Sequence, residues 1–334
     1  MKGRRVVFTG KNVVEVEDYE QDAPSAGQLL VKSKASLISA GTEISSLTGD
    51  TGMGPPKFPQ YPGYSNVGEI IEVGAGVEGW KVGDRVLTMG HHQSYGILPL
   101  GGERPGYIER VPDTVADFPA AFTILGSVAI HGMRNLPSQL GAACAVIGQG
   151  VVGQLLVQFA KAAGYYPVIG VDLFAERLKF SKESGADEVV DASKRDAVEA
   201  VMQITGGDGV ALGLEATRNP NTLNTLLKIA GMGGYIVVVG SLPGTVEISL
   251  FKELQFKELT IRGAWQPRAP MQGHHYFPWT QAKNRSVVLD LIANGRLKVE
   301  HLLTHRVQSG KAPEMYAMML RGGTDWMAVA FDWS

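Results

Sequence analysis

Cysteine is almost absent from this chain, and its scarcity restricts the possible chemistry. The 334 residues include one cysteine, Cys144, so a disulfide within the chain and a zinc site built from several cysteines are both excluded. We expect Cys144 to be a small buried strand residue. The N-terminus lacks the apolar core of a signal peptide, and no apolar run is long enough to span a bilayer. These absences favour a cytoplasmic protein.

An excess of charge of either sign is also lacking. The 31 lysines and arginines nearly balance the 33 aspartates and glutamates, and the net charge is −2. This balance offers no strong attraction to nucleic acid or to an anionic membrane, so we expect a small-molecule substrate and neither of those partners. The length exceeds that of most single hydrophobic cores and therefore predicts two domains.

Two regions differ in their hydrophobic pattern. Residues 5–116 read as short β segments separated by turns, such as RVVFTG and VGEIIEVG, and predict a compact β domain with few helical turns. From about Ala120 to Trp265 apolar strands alternate with helices, which predicts a parallel sheet covered on both faces and joined by right-handed crossovers. The predicted strands of that sheet are 143–147, 167–171, 188–190, 210–214, 235–239 and 259–262.

A glycine-rich segment follows the first of these strands. Residues 148–153 read GQGVVG and match G-x-G-x-x-G, with a helical pattern after them and Asp172 at the end of the next strand. In this context the motif binds the pyrophosphate of a dinucleotide, and a structural turn without a ligand is the alternative. The predicted cofactor-binding residues of this motif are Gly148, Gln149, Gly150, Val151, Val152 and Gly153.

Each part of the motif has a physical task. Gly148 permits a tight turn, Gly150 lets the backbone approach the pyrophosphate, and Gly153 lets the helix pack closely on the strand. The helix N-terminus offers backbone N–H groups to the phosphates. Asp172 would accept hydrogen bonds from the ribose hydroxyls and repel a 2′-phosphate, which favours NAD(H) over NADP(H), and Arg177 would soften that preference.

Further motifs follow a fixed order along the chain. They are SAGTE at 39–43, PGYSNVGEIIEVG at 62–74, GDRV at 83–86, SGAD at 184–187, EAT at 215–217 and NGRL at 294–297. With the glycine motif they resemble, over nearly the whole chain, the medium-chain dehydrogenase/reductase superfamily, which contains the zinc alcohol and polyol dehydrogenases. The resemblance implies an α/β protein with two domains that enclose a cleft. These are a GroES-like β-rich catalytic domain, residues 1–118 completed by 268–334, and a Rossmann NAD-binding domain with a doubly wound parallel sheet, residues 119–267.

The resemblance also implies a homodimer or homotetramer, and it assigns the nicotinamide end of the cofactor. The positions near the ring and its carboxamide are Thr217, Gly240, Ser241 and Ala264, where backbone contacts would suffice.

The departures from the family pattern concern the metal. Ala40 stands where zinc members have a cysteine, and Tyr64 and Ser65 replace the histidine and glutamate of their Gly-His-Glu motif. The third ligand would fall near Ile124 or Leu125, which cannot bind zinc, and the structural four-cysteine lobe is missing. We therefore expect no metal site. The sequence resembles a zinc-free branch that includes bacteriochlorophyllide-type alcohol dehydrogenases.

Four residues are candidates for the chemistry without a metal. Thr42 matches the residue that passes the alcohol proton in zinc members, and a turn-stabilising threonine is the alternative. Tyr64 could polarise a carbonyl, or act as acid or base if its pKa were lowered, or merely fill the space that the metal leaves. His91 and His92 lie in a loop that borders the substrate in the family, and one of them could exchange the proton.

Other polar residues are weaker candidates. Ser65 is a further hydroxyl at the vacated metal position, and Glu43 is expected to be structural. His274 and His275 lie in the stretch GHHYFPW, which we expect to form a structural aromatic cluster and which could also contact substrate.

These observations leave three functional hypotheses. The leading one is a zinc-independent, NAD(H)-dependent oxidoreductase that interconverts a secondary alcohol (a sugar, a cyclitol or a larger hydroxylated ring) and its ketone. The second is a quinone or enoyl reductase, which would usually prefer NADPH, against the evidence of Asp172. The third is a nucleotide-binding protein without catalysis.

Overall fold

The computed structural model describes residues 1–101, 107–134, 136 and 139–334, and these form two compact units. Unit 1 comprises Met1–Ile124 with Arg285–Ser334, and unit 2 comprises Leu125–Asn284. The predicted boundaries were 118/119 and 267/268. The second lies later in the structure because the segment after the last strand of unit 2 keeps its contacts there: the side chain of Gln281 donates to the Pro267 and Ala269 carbonyls.

Strands and helices follow one another along the chain in the order that the sequence pattern suggests. They are β1 (Lys2–Gly10), β2 (Val13–Glu20), β3 (Gln28–Leu37), α1 (Ala40–Thr48), β4 (Asn66–Val73), β5 (Arg85–Thr88), β6 (Tyr95–Pro99), β7 (Ile108–Arg110), α2 (Asp117–Ala121), α3 (Thr123–Met133), β8 (Cys144–Ile147), α4 (Val151–Ala162), β9 (Val168–Asp172), α5 (Ala175–Glu183), β10 (Glu188–Asp191), α6 (Ala197–Ile204), β11 (Val210–Glu215), α7 (Thr222–Ile229), β12 (Ala230–Val238), β13 (Thr260–Gly263), α8 (Gln281–Ala293), β14 (Leu303–Gln308), α9 (Ala312–Leu320) and β15 (Ala328–Asp332). A π-helical turn, Leu250–Gln255, and short 3₁₀ turns, among them Gln266–Arg268, complete them.

Unit 1 is a β-rich domain of the GroES-like type. Its main sheet has the strand order β14-β15-β3-β4-β5-β7, β6 pairs with β3, and β1 and β2 form a separate antiparallel hairpin. The C-terminal segment belongs to this unit because β15 pairs antiparallel with β3. Its core joins both ends of the chain, since Phe8 and Leu47 pack in one buried cluster with Tyr316 and Phe331.

Unit 2 is a doubly wound Rossmann domain. Six strands run parallel in the order β10-β9-β8-β11-β12-β13, so the winding reverses between β8 and β11. The central strands β8, β9 and β11 are apolar and largely buried, as expected for a parallel sheet with helices on both faces, whereas the last strand, β13, is mostly exposed. Ligands bind such sheets at the carboxyl ends of the strands beside this switch point.

Local signals explain where the helices of unit 2 begin and end. Gly164, with φ of 85°, follows α4 in the left-handed conformation that commonly ends a helix. Asp196 caps α6, because its carboxylate accepts the Glu199 N–H at 2.9 Å. Cys144 is buried in β8, and burial raises the pKa of its thiol. Of the helices that the structure describes, none is both long and apolar enough to cross a bilayer.

Candidate active site

The glycine motif forms the turn from β8 into α4, beside the switch point. Gly148 has φ of 95°, and a Cβ there would lie 2.6 Å from the Thr217 side chain. At Gly153 a Cβ would lie 1.8 Å from the Gly148 carbonyl oxygen, so both positions require glycine for packing. A Cβ at Gly150 would meet no atom within 4 Å. Gly150 therefore leaves an open face above the turn, where a ligand could approach the backbone.

The N-terminus of α4 opens onto the same turn. Gly150 is its N-cap, and no side chain caps the helix there. Val151 and Val152 are the first two helical residues, so their N–H groups have no partner within the helix. Oriented N–H groups and the positive end of the helix dipole suit a phosphate.

Asp172 ends β9 and is anchored by backbone donors. Its Oδ2 accepts the Gln149 N–H at 2.7 Å, and its Oδ1 accepts the Phe174 N–H at 3.0 Å. Each carboxylate oxygen has a further lone pair for a ribose hydroxyl. Arg177 Nη1 lies 4.0 Å from Oδ2, close enough to offset part of the repulsion that Asp172 exerts on a 2′-phosphate.

Gln149 differs from its predicted role in one respect. Its side chain is fully buried and donates to the Val146 carbonyl at 2.8 Å, while its N–H is used by Asp172. Gln149 therefore links the glycine turn to the Asp172 carboxylate, the predicted ribose ligand, and presents no side chain to a phosphate.

A buried glutamate organises the far side of the switch point. Glu215 ends β11, is fully buried, and accepts the Thr217 N–H at 2.7 Å, the Thr217 hydroxyl and the Thr222 hydroxyl at 3.0 Å. Burial raises the pKa of the Glu215 carboxyl, although these hydrogen bonds oppose the rise. From the sequence, Glu215 is marked only as part of the family motif EAT at 215–217. Its position at the end of a predicted strand beside the switch point was the signal that could have found it.

The predicted nicotinamide end forms part of a pocket. Gly240, Ser241 and Ala264 line a cavity of about 700 Å³ at the carboxyl ends of β12 and β13. A Cβ at Gly240 would lie 2.2 Å from the Thr217 carbonyl oxygen, so Thr217 and Gly240 are in close contact. Thr217 directs its side chain to Glu215 and is not part of the lining.

In unit 1, three hydroxyl side chains meet where the family holds its metal. We call Ser39, Thr42 and Tyr64 the hydroxyl cluster: the Tyr64 phenol donates to Ser39 Oγ and lies 3.3 Å from Thr42 Oγ1. Ser39 precedes α1 as its N-cap residue, and Thr42 is exposed in its first turn. Two of the predicted catalytic residues, Thr42 and Tyr64, are thus neighbours.

Tyr64 does not meet the condition set for a general base. Burial raises the pKa of its phenol, and the Glu43 charge adds to the rise, against the hydrogen bonds from Ser39 and Thr42. Tyr64 therefore remains protonated at neutral pH and can act as a hydrogen-bond donor to a substrate oxygen.

His92 is buried beneath the hydroxyl cluster. Its Nε2 lies 3.1 Å from Glu43 Oε2 and its Nδ1 lies 2.7 Å from Ser36 Oγ. Glu43 also accepts the Tyr316 hydroxyl and, at 2.7 Å, the Ser39 N–H. Burial alone would raise the pKa of the Glu43 carboxyl, but His92 and these donors outweigh it and lower the pKa. The prediction of His92 as an accessible proton carrier is wrong, because its ring is fully buried and both nitrogens have partners.

The remaining polar candidates differ in the solvent exposure of their side chains. His91 is exposed, with Nδ1 3.2 Å from the Gly63 carbonyl oxygen, and partial burial of its ring lowers its pKa. Ser65 is buried and donates to the Ala121 carbonyl, so it is not available to a substrate. His274 and His275 lie in an exposed turn in which the Tyr276 ring is 96% exposed. Among the residues that the structure describes, His274, His275 and Tyr276 therefore do not form a packed aromatic cluster.

The residues at the family's metal positions do not fit zinc. Ala40 has no donor atom, Tyr64 is a protonated phenol, and Ile124 and Leu125 are buried and apolar. In the described part of the chain, no three His, Cys, Asp or Glu side chains are grouped to hold a metal.

Comparisons with known proteins cover both units. Residues 25–102 match the family described as alcohol dehydrogenase GroES-like domain, and residues 151–281 match zinc-binding dehydrogenase. The chain is 29% identical over 336 residues to L-threonine 3-dehydrogenase of Thermococcus kodakarensis, covering 93% of this chain and 92% of that protein. It is 30% identical over 271 residues to (R,R)-butanediol dehydrogenase of Bacillus subtilis, covering 75% and 74%.

Solved structures share the fold over the whole chain. One is described as a zinc-binding dehydrogenase from Sinorhizobium meliloti 1021 bound to NADP. It has a TM-score of 0.83, with 24% identity and 99% of each chain covered. At this identity the likeness concerns the fold.

Proposed function

The chain belongs to the medium-chain, zinc-type alcohol dehydrogenase superfamily, and from that premise we propose that it is a zinc-independent, NAD(H)-dependent oxidoreductase. It is an oxidoreductase that uses a nicotinamide cofactor. The proposal adds the choice of NAD(H), the absence of a catalytic metal and the reaction, which interconverts a secondary alcohol and its ketone.

The observation that carries the proposal is the arrangement around the glycine motif. Gly150 leaves an open face at the uncapped N-terminus of α4, and Asp172 lies at the end of the adjacent strand with lone pairs for a ribose. A carboxylate there favours NAD(H), because a 2′-phosphate would be repelled.

A matched pair of glycine variants tests cofactor binding. Gly150→Ala places a methyl group in open space, so we expect an unchanged melting temperature and at least a tenfold loss of NADH affinity by fluorescence titration. Gly153→Ala forces a clash with the Gly148 carbonyl and should lower the melting temperature as well. Unchanged NADH binding in Gly150→Ala would contradict the assignment of the site.

Without a metal, the substrate oxygen needs hydrogen-bond donors. When bound, the cofactor supplies the hydride chemistry, and the protein supplies binding, orientation and a route for one proton. We propose that the Tyr64 phenol, protonated because of its raised pKa, turns its one O–H from Ser39 to that oxygen. In ketone reduction the substrate oxygen takes this proton, and Tyr64 is reprotonated from exposed Thr42, whose hydroxyl oxygen lies 3.3 Å away. Exposed His91 takes up the replacing proton from solvent, and alcohol oxidation moves one proton along the same residues in the opposite direction.

The proposed substrate class is based on residues 286–307, which resemble the corresponding segment of the polyol dehydrogenases in this superfamily. We propose a sugar, a cyclitol or a larger hydroxylated ring, oxidised at a secondary hydroxyl. The test is an assay panel of such alcohols and their ketones, with zinc content measured on the same sample. Turnover without bound zinc is expected. Stoichiometric zinc in the sample would contradict this proposal. Activity only with NADPH and with quinone or enoyl substrates would also contradict it and would indicate a quinone or enoyl reductase.

We also propose that the chain forms a homodimer or homotetramer. β13 is the last strand of the sheet as described, and exposed apolar side chains lie in the segment that precedes it, including Phe251 and Phe256. Such exposed apolar residues often mark an interface. Light scattering on the purified protein tests this, and a monomer at micromolar concentration would contradict it.

A further inference from the structure

The pocket at the carboxyl ends of β12 and β13 is lined by several basic side chains. Among its lining residues are three basic side chains, His131, Arg262 and Arg268, and two aromatic ones, Trp265 and Phe277. None of the lining residues is an aspartate or a glutamate. The cavity of about 700 Å³ has the size of small-molecule sites in proteins. We call it the arginine pocket.

The positive charge of the arginine pocket comes from its two arginines. Both are exposed, and the Arg268 guanidinium lies 5.7 Å from the centre of the Trp265 ring. Burial, together with the charges of Arg262 and Arg134, lowers the pKa of His131.

We propose that the arginine pocket binds an anionic group of the substrate, a carboxylate or a phosphate, through Arg262 and Arg268. The guanidinium group offers paired donors that match both anions. The inference rests on the proposed function, because Gly240, Ser241 and Ala264 of the same pocket are the positions assigned to the nicotinamide end. The substrate class therefore narrows to hydroxy acids or phosphorylated alcohols.

The pyrophosphate of the cofactor is a second source of the negative charge that Arg262 and Arg268 would bind. It is expected at the N-terminus of α4, which follows β8, whereas Arg262 lies on β13. Three interstrand steps of about 4.8 Å, roughly 14 Å, separate those strands in the sheet. Distance thus favours the substrate, and the experiment below separates the two sources.

The first measurement requires no turnover. Quenching of Trp265 fluorescence by iodide is compared with quenching by neutral acrylamide, with Trp265→Phe identifying the Trp265 contribution. We expect Arg268→Gln to reduce iodide quenching at least twofold and to leave acrylamide quenching unchanged. The exposed Arg195, in the same unit and hydrogen-bonded to Gln203, provides the control Arg195→Gln. Equal iodide quenching in wild type and Arg268→Gln would overturn the proposal, whatever the enzyme's activity.

The second measurement identifies the source of the anion. With NAD⁺ bound, inorganic phosphate should protect Trp265 from iodide in the wild type and not in Arg268→Gln. On paired substrates that differ by a carboxylate or phosphate, Arg268→Gln should raise KM about tenfold to a hundredfold for the anionic member only, with unchanged NADH affinity. A loss of NADH affinity with equal effects on both members would assign Arg268 to the cofactor and overturn the proposal. If no alcohol or ketone of the assay panel is turned over, the proposed function is contradicted. The protection of Trp265 from iodide by phosphate would still show whether the arginine pocket binds an anion.

Discussion

Each unit buries one glutamate near its candidate site, and the two carboxyls have opposite pKa shifts. Glu43 in unit 1 lies against His92, and its pKa is lowered despite burial. Glu215 in unit 2 has hydroxyl and N–H donors but no basic side chain among its hydrogen-bond partners in the described residues, and burial raises its pKa. Desolvation favours the neutral acid in both places, so the neighbouring histidine accounts for the opposite direction of the Glu43 shift.

Glu43 and Glu215 also hold the residues around them in place in different ways. The Glu43 carboxylate accepts the N–H of Ser39 at the start of α1 and so holds the residue to which Tyr64 donates. Glu215 holds the loop after β11 through Thr217 and Thr222. The first arrangement depends on a buried carboxylate that lies against a histidine, and the second depends on hydrogen bonds that a neutral group can also accept.

The largest effect is expected when the buried pair is broken. Glu43→Gln removes the negative charge beside fully buried His92, so the free energy of unfolding in urea should fall by about 3–5 kcal/mol. The control is Glu17→Gln, which removes a partly exposed partner of Arg5 and should cost less than about 1 kcal/mol. Equal costs for the two variants would mean that the Glu43–His92 pair does not carry the stability assigned to it.

The next effect concerns the hydroxyl cluster above that pair. Tyr64→Phe removes the proposed donor to the substrate oxygen and should lower kcat about 10²- to 10³-fold, with little change in NADH affinity. Steady-state kinetics on any accepted substrate measure it. Tyr61→Phe, a nearby tyrosine whose hydroxyl accepts from Arg5, should leave kcat within about threefold. A Tyr64→Phe enzyme with nearly normal kcat would remove Tyr64 from the reaction.

A third carboxylate, Asp172, tests the cofactor choice in unit 2. Asp172→Ser should weaken NADH binding about tenfold to a hundredfold, equivalent to about 1.5–3 kcal/mol, and improve binding of NADPH, which Arg177 can then approach. Titration with both cofactors gives the ratio. Asp191→Asn at the end of neighbouring β10 is the control and should change neither affinity. An unchanged ratio in Asp172→Ser would leave the preference for NAD(H) unexplained.

The smallest effect is expected at Glu215, and it depends on pH. A raised pKa in the folded state means that the contribution of this carboxyl to stability is full below its ordinary pKa of about 4.3 and is lost as pH rises through the raised value. Glu215→Gln lacks this loss, so its stability relative to wild type should improve with rising pH, by about 1 kcal/mol or less near pH 7.

Glu43 should show the reverse dependence. Its lowered pKa gives a contribution that is present above the ordinary carboxyl pKa and lost as pH falls through the folded value. Urea unfolding of wild type, Glu215→Gln and Glu43→Gln between pH 4 and 8 compares the two. Differences that vary with pH in the same direction for both variants would refute the assignment of opposite shifts.

Much of unit 2 could be predicted because its signals are local. The six predicted strands occur and pair in parallel, and Gly148, Gly150 and Gly153 occupy the turn that their spacing indicated. A turn, a helix N-terminus and a buried strand each depend on a few consecutive residues, so a short pattern is sufficient to predict them.

The arrangement beneath the hydroxyl cluster depends on residues that are far apart in the chain. Tyr316 donates to Glu43 across 273 positions, and His92 contacts Glu43 across 49. No local pattern reports such contacts, and the sequence therefore left open which of His91 and His92 exchanges the proton. The pKa of Tyr64 was open for the same reason, because it depends on burial and on neighbours from other segments.

From the sequence alone follow the β-rich first region, the doubly wound parallel sheet and the glycine turn with its acidic partner, because hydrophobic period and glycine spacing act over short distances. The sequence also shows that donor atoms are missing at two of the family's metal positions, Ala40 and the pair Ile124 and Leu125. Only the tertiary structure decided that His92 is buried, that Glu43 and Glu215 have opposite pKa shifts, and that Arg262 and Arg268 line one pocket. Burial and charge at a site are set by side chains that folding brings together from distant parts of the chain.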